Sequence, residues 1–311
     1  MDPSFTPRRT LKRGALIAAA NWPTLVIQAS ADAIFKVVVA LPVVGGIVLA
    51  ALVIGAEPAA LLSLDVRDMG TTVFALLAAR PATLAAFVAA VGTAIVGASV
   101  LAFLVKAGSV AIIVRSERET GPVEQPPPAG HVAVAPGFSV SQFSDAVRRF
   151  GPRFIRLGCG LLTAYTVSGA VYFQVVFGAG RPGAWASAAV ATATLVVWIT
   201  VVNLLYLLAQ VVMTAEDCGV MAACRRVLVL VARQWLVVVR VCAFVLAIVA
   251  GATVASLLAT AALGFVAFVP FFWLAVLPLQ LGAWVLRALV QQLISLSAVG
   301  AYASVYRRQA L

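Results

Sequence analysis

The chain has 311 residues, of which 63% are hydrophobic and only 11% are charged, with a mean hydropathy of +1.07. About a quarter of the residues in a soluble domain are charged, so this composition excludes a water-soluble globule and predicts an integral membrane protein. The formal net charge of +11 does not indicate a nucleic-acid-binding protein, because the basic residues are scattered between apolar stretches without the aromatic interleaving of a nucleic-acid reader.

Six apolar stretches are long enough to cross a bilayer as helices, since about 20 apolar residues cover a hydrocarbon core of about 30 Å. In chain order they lie near residues 33–56, 83–105, 157–178, 185–213, 241–263 and 279–305. The sequence therefore predicts an all-α fold, a polytopic transmembrane helical bundle that forms a single membrane domain.

The segment 264–278, GFVAFVPFFWLAVLP, is nearly apolar and long enough to be a seventh span. Two prolines, Pro270 and Pro278, interrupt it, and the aromatic residues at 271–273 suit the headgroup boundary. We therefore predict an interfacial or re-entrant segment here, and six spans rather than seven.

Basic residues are distributed unequally between the two sides of the predicted bundle. With six spans, four basic segments share one side: the N-terminal MDPSFTPRRTLKRG, the connection 106–156 with seven Lys or Arg residues, the connection 214–240, and the C-terminus with Arg307 and Arg308. The positive-inside rule then predicts that both termini are cytoplasmic.

Three of these basic segments each precede a pair of spans. Their arginines share one helical face in each segment: Arg9 and Arg13; Arg149, Arg153 and Arg156; and Arg226, Arg233 and Arg240. Spacings of one and two helical turns put side chains on the same face. The predicted fold is therefore three hairpins, each preceded by a cytoplasmic basic amphipathic helix.

Two interpretations of these arginine stripes stay open. A basic helix at the interface is attracted to anionic lipid by about 1 kcal/mol per basic residue, which predicts contact with lipid headgroups. Alternatively, the arginines only fix the topology and extend their side chains to the interface.

A repeated sequence element carries a resemblance to a known group of proteins. A span, a short acidic-glycine turn, an Ala-Arg-rich helix and the next span read AQVVMTAEDCGVMAACRRVLVLVARQW, and KAGSVAIIVRSERETG followed by SVSQFSDAVRRF looks like the same element with a longer insert. This arrangement resembles bacterial six-span membrane proteins of unassigned function, including the membrane domain that accompanies some glycerophosphodiester phosphodiesterases. The resemblance implies a fold and a location in the bacterial inner membrane, but no activity.

Polar side chains inside the predicted spans are candidate functional residues, because burying them in lipid is costly. Arg287 and Gln291, one turn apart, suggest an anion or headgroup site, and the alternative is that Arg287 extends to the outer interface. Asn203 and Gln210 share a helical face and predict hydrogen bonds to a neighbouring helix, and Gln174 is a further polar packing residue.

The remaining sequence favours a non-enzymatic protein. We expect no metal site and no cofactor, because the four cysteines lack a CxxC pattern and the single histidine, His131, lies in the flexible proline-rich linker 116–140. No paired carboxylates, His/Cys cluster or nucleophile with its base is apparent.

The expected function is to organise the membrane by binding lipids at the cytoplasmic face, a protein partner or a second copy of the chain. The alternative is a transporter or channel for a small or anionic solute or a lipid. Such proteins usually show ionisable relays, broken helices or inverted repeats, whereas the repeats expected here are parallel.

Overall fold

The computed structural model describes residues 6–54, 79, 81–120, 138–177, 184–267 and 273–310. In these residues it contains seven helices and no strand: α1 (Pro7–Ala20), α2 (Trp22–Ile54), α3 (Pro81–Glu119), α4 (Val140–Phe177), α5 (Ala184–Glu216), α6 (Val220–Ala267) and α7 (Trp273–Ala310). This confirms the predicted all-α fold.

Six of these helices, α2 to α7, are long and apolar enough to cross a membrane. The candidate spans are Trp22–Gly46, Leu84–Glu119, Val140–Val176, Ala188–Glu216, Val220–Ala262 and Pro278–Arg308. The predicted number of spans therefore agrees with the described part of the chain. Of the segment considered as a seventh span, 264–267 ends α6 and 273–278 begins α7, while 268–272 lie outside the described residues. Most of the predicted linker, 121–137, also lies outside them.

The first basic segment forms a helix of its own because the helix ends at Asn21. Pro23 occupies the first turn of α2, where proline is tolerated, but a preceding helix seldom continues up to a proline. Asn21 has a non-helical backbone (φ −103°, ψ 39°), and its side-chain amide donates hydrogen bonds to the Ile17 carbonyl at 3.0 Å and to Ser116 Oγ at 3.1 Å. The junction between α1 and α2 is thus fastened to the end of α3.

The other two basic segments are continuous with the spans that follow them. The α4 helix runs through Pro152 without a break, whereas Gln234 in α6 has a non-helical backbone (φ −131°, ψ 36°). The kink at Gln234 separates Arg226 and Arg233 from Arg240 and from the apolar remainder of α6.

The residues group into two compact units, comprising the described parts of Met1–Ala29 with Leu104–Leu311, and of Ser30–Phe103. In the second unit the Phe87 ring of α3 packs so closely on Gly46 of α2 that a Cβ there would collide with it. Asp32 and Lys36, one turn apart on α2, form an ion pair at 2.7 Å.

The buried core of the first unit lies at one end of its helices. It combines α1, the ends of α3, α5 and α7, and the first halves of α4 and α6, with Ile113, Phe154, Leu208, Met213 and Leu296 among its largest fully buried side chains. The other halves of the same helices expose apolar side chains. Val190, for example, is 68% exposed and Leu258 66%. Apolar surface of this extent is unfavourable in water and suits lipid chains.

Helix α1 packs closely on α7. A Cβ at Gly300 would lie only 2.9 Å from the Gly14 Cα, and a Cβ at Gly14 would collide with backbone atoms of α7. Two glycines facing each other allow the backbones to approach, as small residues do at helix crossings in membrane proteins. This crossing places the basic face of α1 beside the C-terminal end of α7.

Candidate functional site

A buried carboxylate lies between two arginines from opposite ends of the sequence. The Glu117 side chain, on the last turn of α3, is only 1% exposed. Its Oε1 lies 3.4 Å from Arg13 Nη2 of α1, and its Oε2 lies 3.5 Å from Arg307 Nη1 of α7. A charge removed from water in this way is tolerated only because opposite charges accompany it.

Arg307 does more than neutralise Glu117. Arg307 also donates hydrogen bonds to the backbone carbonyls of Glu117 at 3.0 Å and Arg118 at 3.3 Å. These belong to the last turn of α3, whose carbonyls have no partner within the helix and whose dipole favours a cation. Burial lowers the pKa of the Arg13 guanidinium, and the neighbouring Glu117 opposes that shift. Because an arginine side chain is not deprotonated in proteins, Arg13 stays charged, and α1, α3 and α7 are held together at one point.

A second cluster surrounds the turn between α5 and α6. Asp217, which follows the last residue of α5, has a left-handed backbone (φ 50°) that aspartate tolerates better than most residues. Its carboxylate binds Arg149 and also Arg153, whose Nη1 donates to Oδ1 at 2.7 Å. The hydrogen bond from Arg149, followed by that from Arg153, lowers the pKa of Asp217. The turn is thereby fastened to α4.

The residue before this turn connects two further helices. Glu216 forms an ion pair with Arg226 of α6 and accepts a hydrogen bond from the Tyr306 hydroxyl of α7. The end of α7 thus contacts both acidic clusters, through Tyr306 and Arg307. We call this region the charged end; it comprises Arg13, Glu117, Arg149, Arg153, Glu216, Asp217, Arg226, Tyr306 and Arg307.

The arginine stripes contribute to the charged end only in part. Arg149 and Arg153, predicted to share a face, reach the same carboxylate, and Arg226 is paired with Glu216. Of the remaining stripe residues, Arg13 is paired with Glu117. The others are exposed and pair with no acid among the described residues: Arg9, Arg156, Arg233 and Arg240. The predicted lipid contact of the stripes stays a prediction, for which these four arginines have the accessible guanidinium groups.

The polar residues predicted inside the spans lie in different surroundings. Arg287 is half-buried and Gln291 exposed on α7, and no described acid pairs with Arg287. Gln174 is exposed on α4. Asn203 of α5 accepts a hydrogen bond of 2.5 Å from the Tyr165 hydroxyl of α4, which links two helices. The structure does not bring Arg287 or Gln291 to the charged end.

Gln210 differs from Asn203 because it is fully buried and forms no hydrogen bond to another described helix. Its polar neighbour is the hydroxyl of Tyr206, one turn earlier on α5, which is also buried. Lys106 Nζ of α3 lies 5.1 Å from the centroid of the Tyr206 ring, within range of a cation–π interaction. Three polar groups therefore lie within the candidate spans beside apolar side chains.

Glu117, Glu216, Asp217 and Lys106 carry no role predicted from the sequence. A signal for the glutamates does exist, because aligning VRSER of α3 with MTAED of α5 places Glu117 and Glu216 at the same position. The alignment indicates two equivalent glutamates, but not the distant residues that each of them contacts.

Among the residues that the structure describes, no three His, Cys, Asp or Glu side chains are grouped closely enough to hold a metal ion. The resemblance to bacterial six-span membrane proteins stays a prediction. Comparison of the chain with protein-family models, with curated proteins and with solved structures found no match.

Proposed function

We propose that this chain is a non-enzymatic multi-pass protein of a bacterial inner membrane that binds anionic lipid headgroups through the exposed arginines of its basic helices. In this proposal both termini are cytoplasmic, and the spans form three hairpins, α2 with α3, α4 with α5, and α6 with α7. Contacts between α4 and α5 and between α6 and α7 support the last two hairpins. The basic helix before each hairpin is α1, the first part of α4 or the part of α6 before Gln234.

The observation that carries the proposal is a set of exposed arginines on helices whose other half is exposed and apolar. Arg225, Arg233 and Arg240 of α6 are exposed and pair with no described acid, whereas Arg226 on the same helix is held by Glu216. A guanidinium group that is not neutralised within the protein keeps its donors for a phosphate. The exposed arginines therefore favour lipid contact over a purely structural role.

Replacement of Arg225, Arg233 and Arg240 by Gln tests the proposal. Native mass spectrometry of the protein in micelles with equal amounts of phosphatidylglycerol and phosphatidylcholine would measure the lipid preference. We expect the preference for phosphatidylglycerol to fall at least about tenfold, since each basic residue near an anionic surface contributes about 1 kcal/mol. The matched control replaces the same arginines by Lys and should keep it. An unchanged preference in the Gln variant would refute lipid binding by this surface.

The orientation is tested by single cysteines in a cysteine-free background. The proposal expects Cys at position 310 to react only with reagents that reach the cytoplasm, and Cys at position 60 only from the other side. Labelling of both positions from one side would contradict the topology.

Transport is a second candidate function, favoured by Lys106 and the buried polar groups of Tyr206 and Gln210. An ionisable residue within a membrane span marks a candidate pathway for solutes or ions. The test is flux of small anions in proteoliposomes. Flux that is absent from Lys106→Met and Gln210→Leu but present in Asn203→Leu would support transport through this cluster.

A further inference from the structure

An open cavity of about 310 Å³ lies between the end of α3, the start of α4 and the end of α5. The buried side chains of Ile112, Val114 and Phe150 form its apolar floor, and the exposed side chains of Arg115, Arg118 and Arg149 lie around its opening. We call it the α3–α4 pocket.

The arginines of the pocket keep donors that the protein does not use. Arg115 pairs with Glu119 through its Nε at 2.8 Å, which leaves both terminal nitrogens of its guanidinium group. Arg149 binds Asp217 through Nη2 alone, and the side chain of Arg118 pairs with no acid among the described residues. Because a guanidinium group has five N–H donors in a rigid fork, three such groups around one opening match the oxygens of a phosphate.

The size and lining of the cavity restrict the ligand further. A volume of about 300 Å³ is the lower end of the range for small-molecule sites, so it suits a headgroup and not an acyl chain. The apolar floor complements a glycerol or other short aliphatic group, whereas the guanidinium groups complement an anion.

We propose that the α3–α4 pocket binds a phosphate ester of headgroup size, held by Arg115, Arg118 and Arg149. The inference rests on the proposed function, because it assigns one specific anion site to a protein proposed to bind anionic headgroups. Asp145 also lines the pocket and opposes the binding of an anion. Replacing Asp145 by Asn should therefore strengthen the binding of the anion, and a misfolded variant would not show this effect.

The test measures the binding of two phosphate esters, one soluble and one a lipid, to the full-length protein in micelles. Glycerol phosphate is titrated by calorimetry, and phosphatidylglycerol binding is measured by native mass spectrometry. The site variant carries Arg115→Gln and Arg118→Gln, and Arg149 is left in place because it also holds Asp217. The matched control is Arg148→Gln, an exposed arginine of α4 outside the pocket.

We expect the site variant to bind the ester at least about tenfold more weakly, since hydrogen bonds between a guanidinium group and a phosphate are among the strongest in proteins. Arg148→Gln should change the affinity less than twofold, and Asp145→Asn should strengthen it. Binding of glycerol phosphate to the pocket would identify a soluble ligand, and binding of phosphatidylglycerol alone would identify a lipid. Either result supports the site.

The proposal is overturned if wild type binds neither compound, if Arg148→Gln weakens binding as much as the site variant, or if Asp145→Asn leaves the affinity unchanged. These results are separable from a failure of the proposed function. The proposed function is tested at three other arginines, which do not line the pocket: Arg225, Arg233 and Arg240. Lipid preference lost on changing those three, with the pocket variants unaffected, would support surface binding and exclude the pocket.

Discussion

The ends of α3 and α5 each carry a glutamate, Glu117 and Glu216, and hold it in different surroundings. Each glutamate contacts the end of α7 and an arginine of a basic helix: Glu117 meets Arg307 and Arg13, and Glu216 meets Tyr306 and Arg226. Yet the side chain of Glu117 is 1% exposed, whereas that of Glu216 is 29% exposed. Similar partners can thus form either a buried structural contact or a contact that water still screens.

The difference comes from what covers each glutamate. The close crossing at Gly14 and Gly300 lets α1 lie against α7, so Arg13 approaches Glu117 with little access for water. Arg226 instead lies on α6, which only three residues separate from the end of α5, and its side chain is 47% exposed. Removing one partner of a buried pair costs about 3–5 kcal/mol, whereas exposed pairs contribute about 0.2–1 kcal/mol. The two ends should therefore respond to mutation very differently.

The largest effect is expected from Glu117→Gln. The substitution leaves Arg13 buried without its opposite charge, so the free energy of unfolding should fall by about 3–5 kcal/mol, measured by denaturation in mixed micelles. Glu119→Gln is the matched control, because Glu119 forms only an exposed pair with Arg115 on the same helix. Equal losses in the two variants would remove the distinction between buried and exposed acids. Replacing both Glu117 and Arg13 by Met should restore much of the loss.

The next effect tests the helix crossing that shields Glu117. In Gly300→Ala the new Cβ would lie 2.9 Å from the Gly14 Cα, so α1 must shift, at a cost of about 1–3 kcal/mol. Gly251→Ala on α6 is the control, because no atom lies within 4 Å of its added Cβ. It should be neutral or stabilising by up to about 1 kcal/mol, since alanine favours helix over glycine. If Gly300→Ala is as stable as this control, the crossing does not hold α1 in place.

Sequence patterns predicted the apolar helices well and the charged end poorly, for a physical reason. A helix of about 20 apolar residues is more stable in lipid than in water, so the spans can be predicted from local composition alone. Periodicity correctly placed Arg149 and Arg153 on one face, but it contains no information on which distant residue that face meets. Glu117 lies in the highly charged segment RSERE, which looks like a solvated helix end, and only α1 and α7 make it buried.

A smaller effect, dependent on pH, is expected at Asp217. Its carboxylate has a pKa below the usual value because Arg149 and Arg153 donate hydrogen bonds to it. The ion pairs therefore contribute fully above the unfolded pKa of about 3.9, and their contribution is lost as the pH falls through the folded pKa. Asp217→Asn, which keeps a residue that tolerates the left-handed backbone, should unfold at a lower temperature than wild type at pH 7. The two melting temperatures should converge in acid, and a difference independent of pH would contradict the ion-pair explanation.

The smallest effect on stability is expected for the exposed ion pair between Glu216 and Arg226. A double-mutant cycle of Glu216→Gln and Arg226→Gln should give a coupling energy of about 0.2–1 kcal/mol, because water screens both side chains. The coupling should decrease further in high salt. Tyr306→Phe measures separately the hydrogen bond that Glu216 accepts from α7. A coupling as large as the loss in Glu117→Gln would show that burial does not distinguish the two ends. A small, salt-dependent coupling would instead attribute the difference to the cover that α1 provides over Glu117.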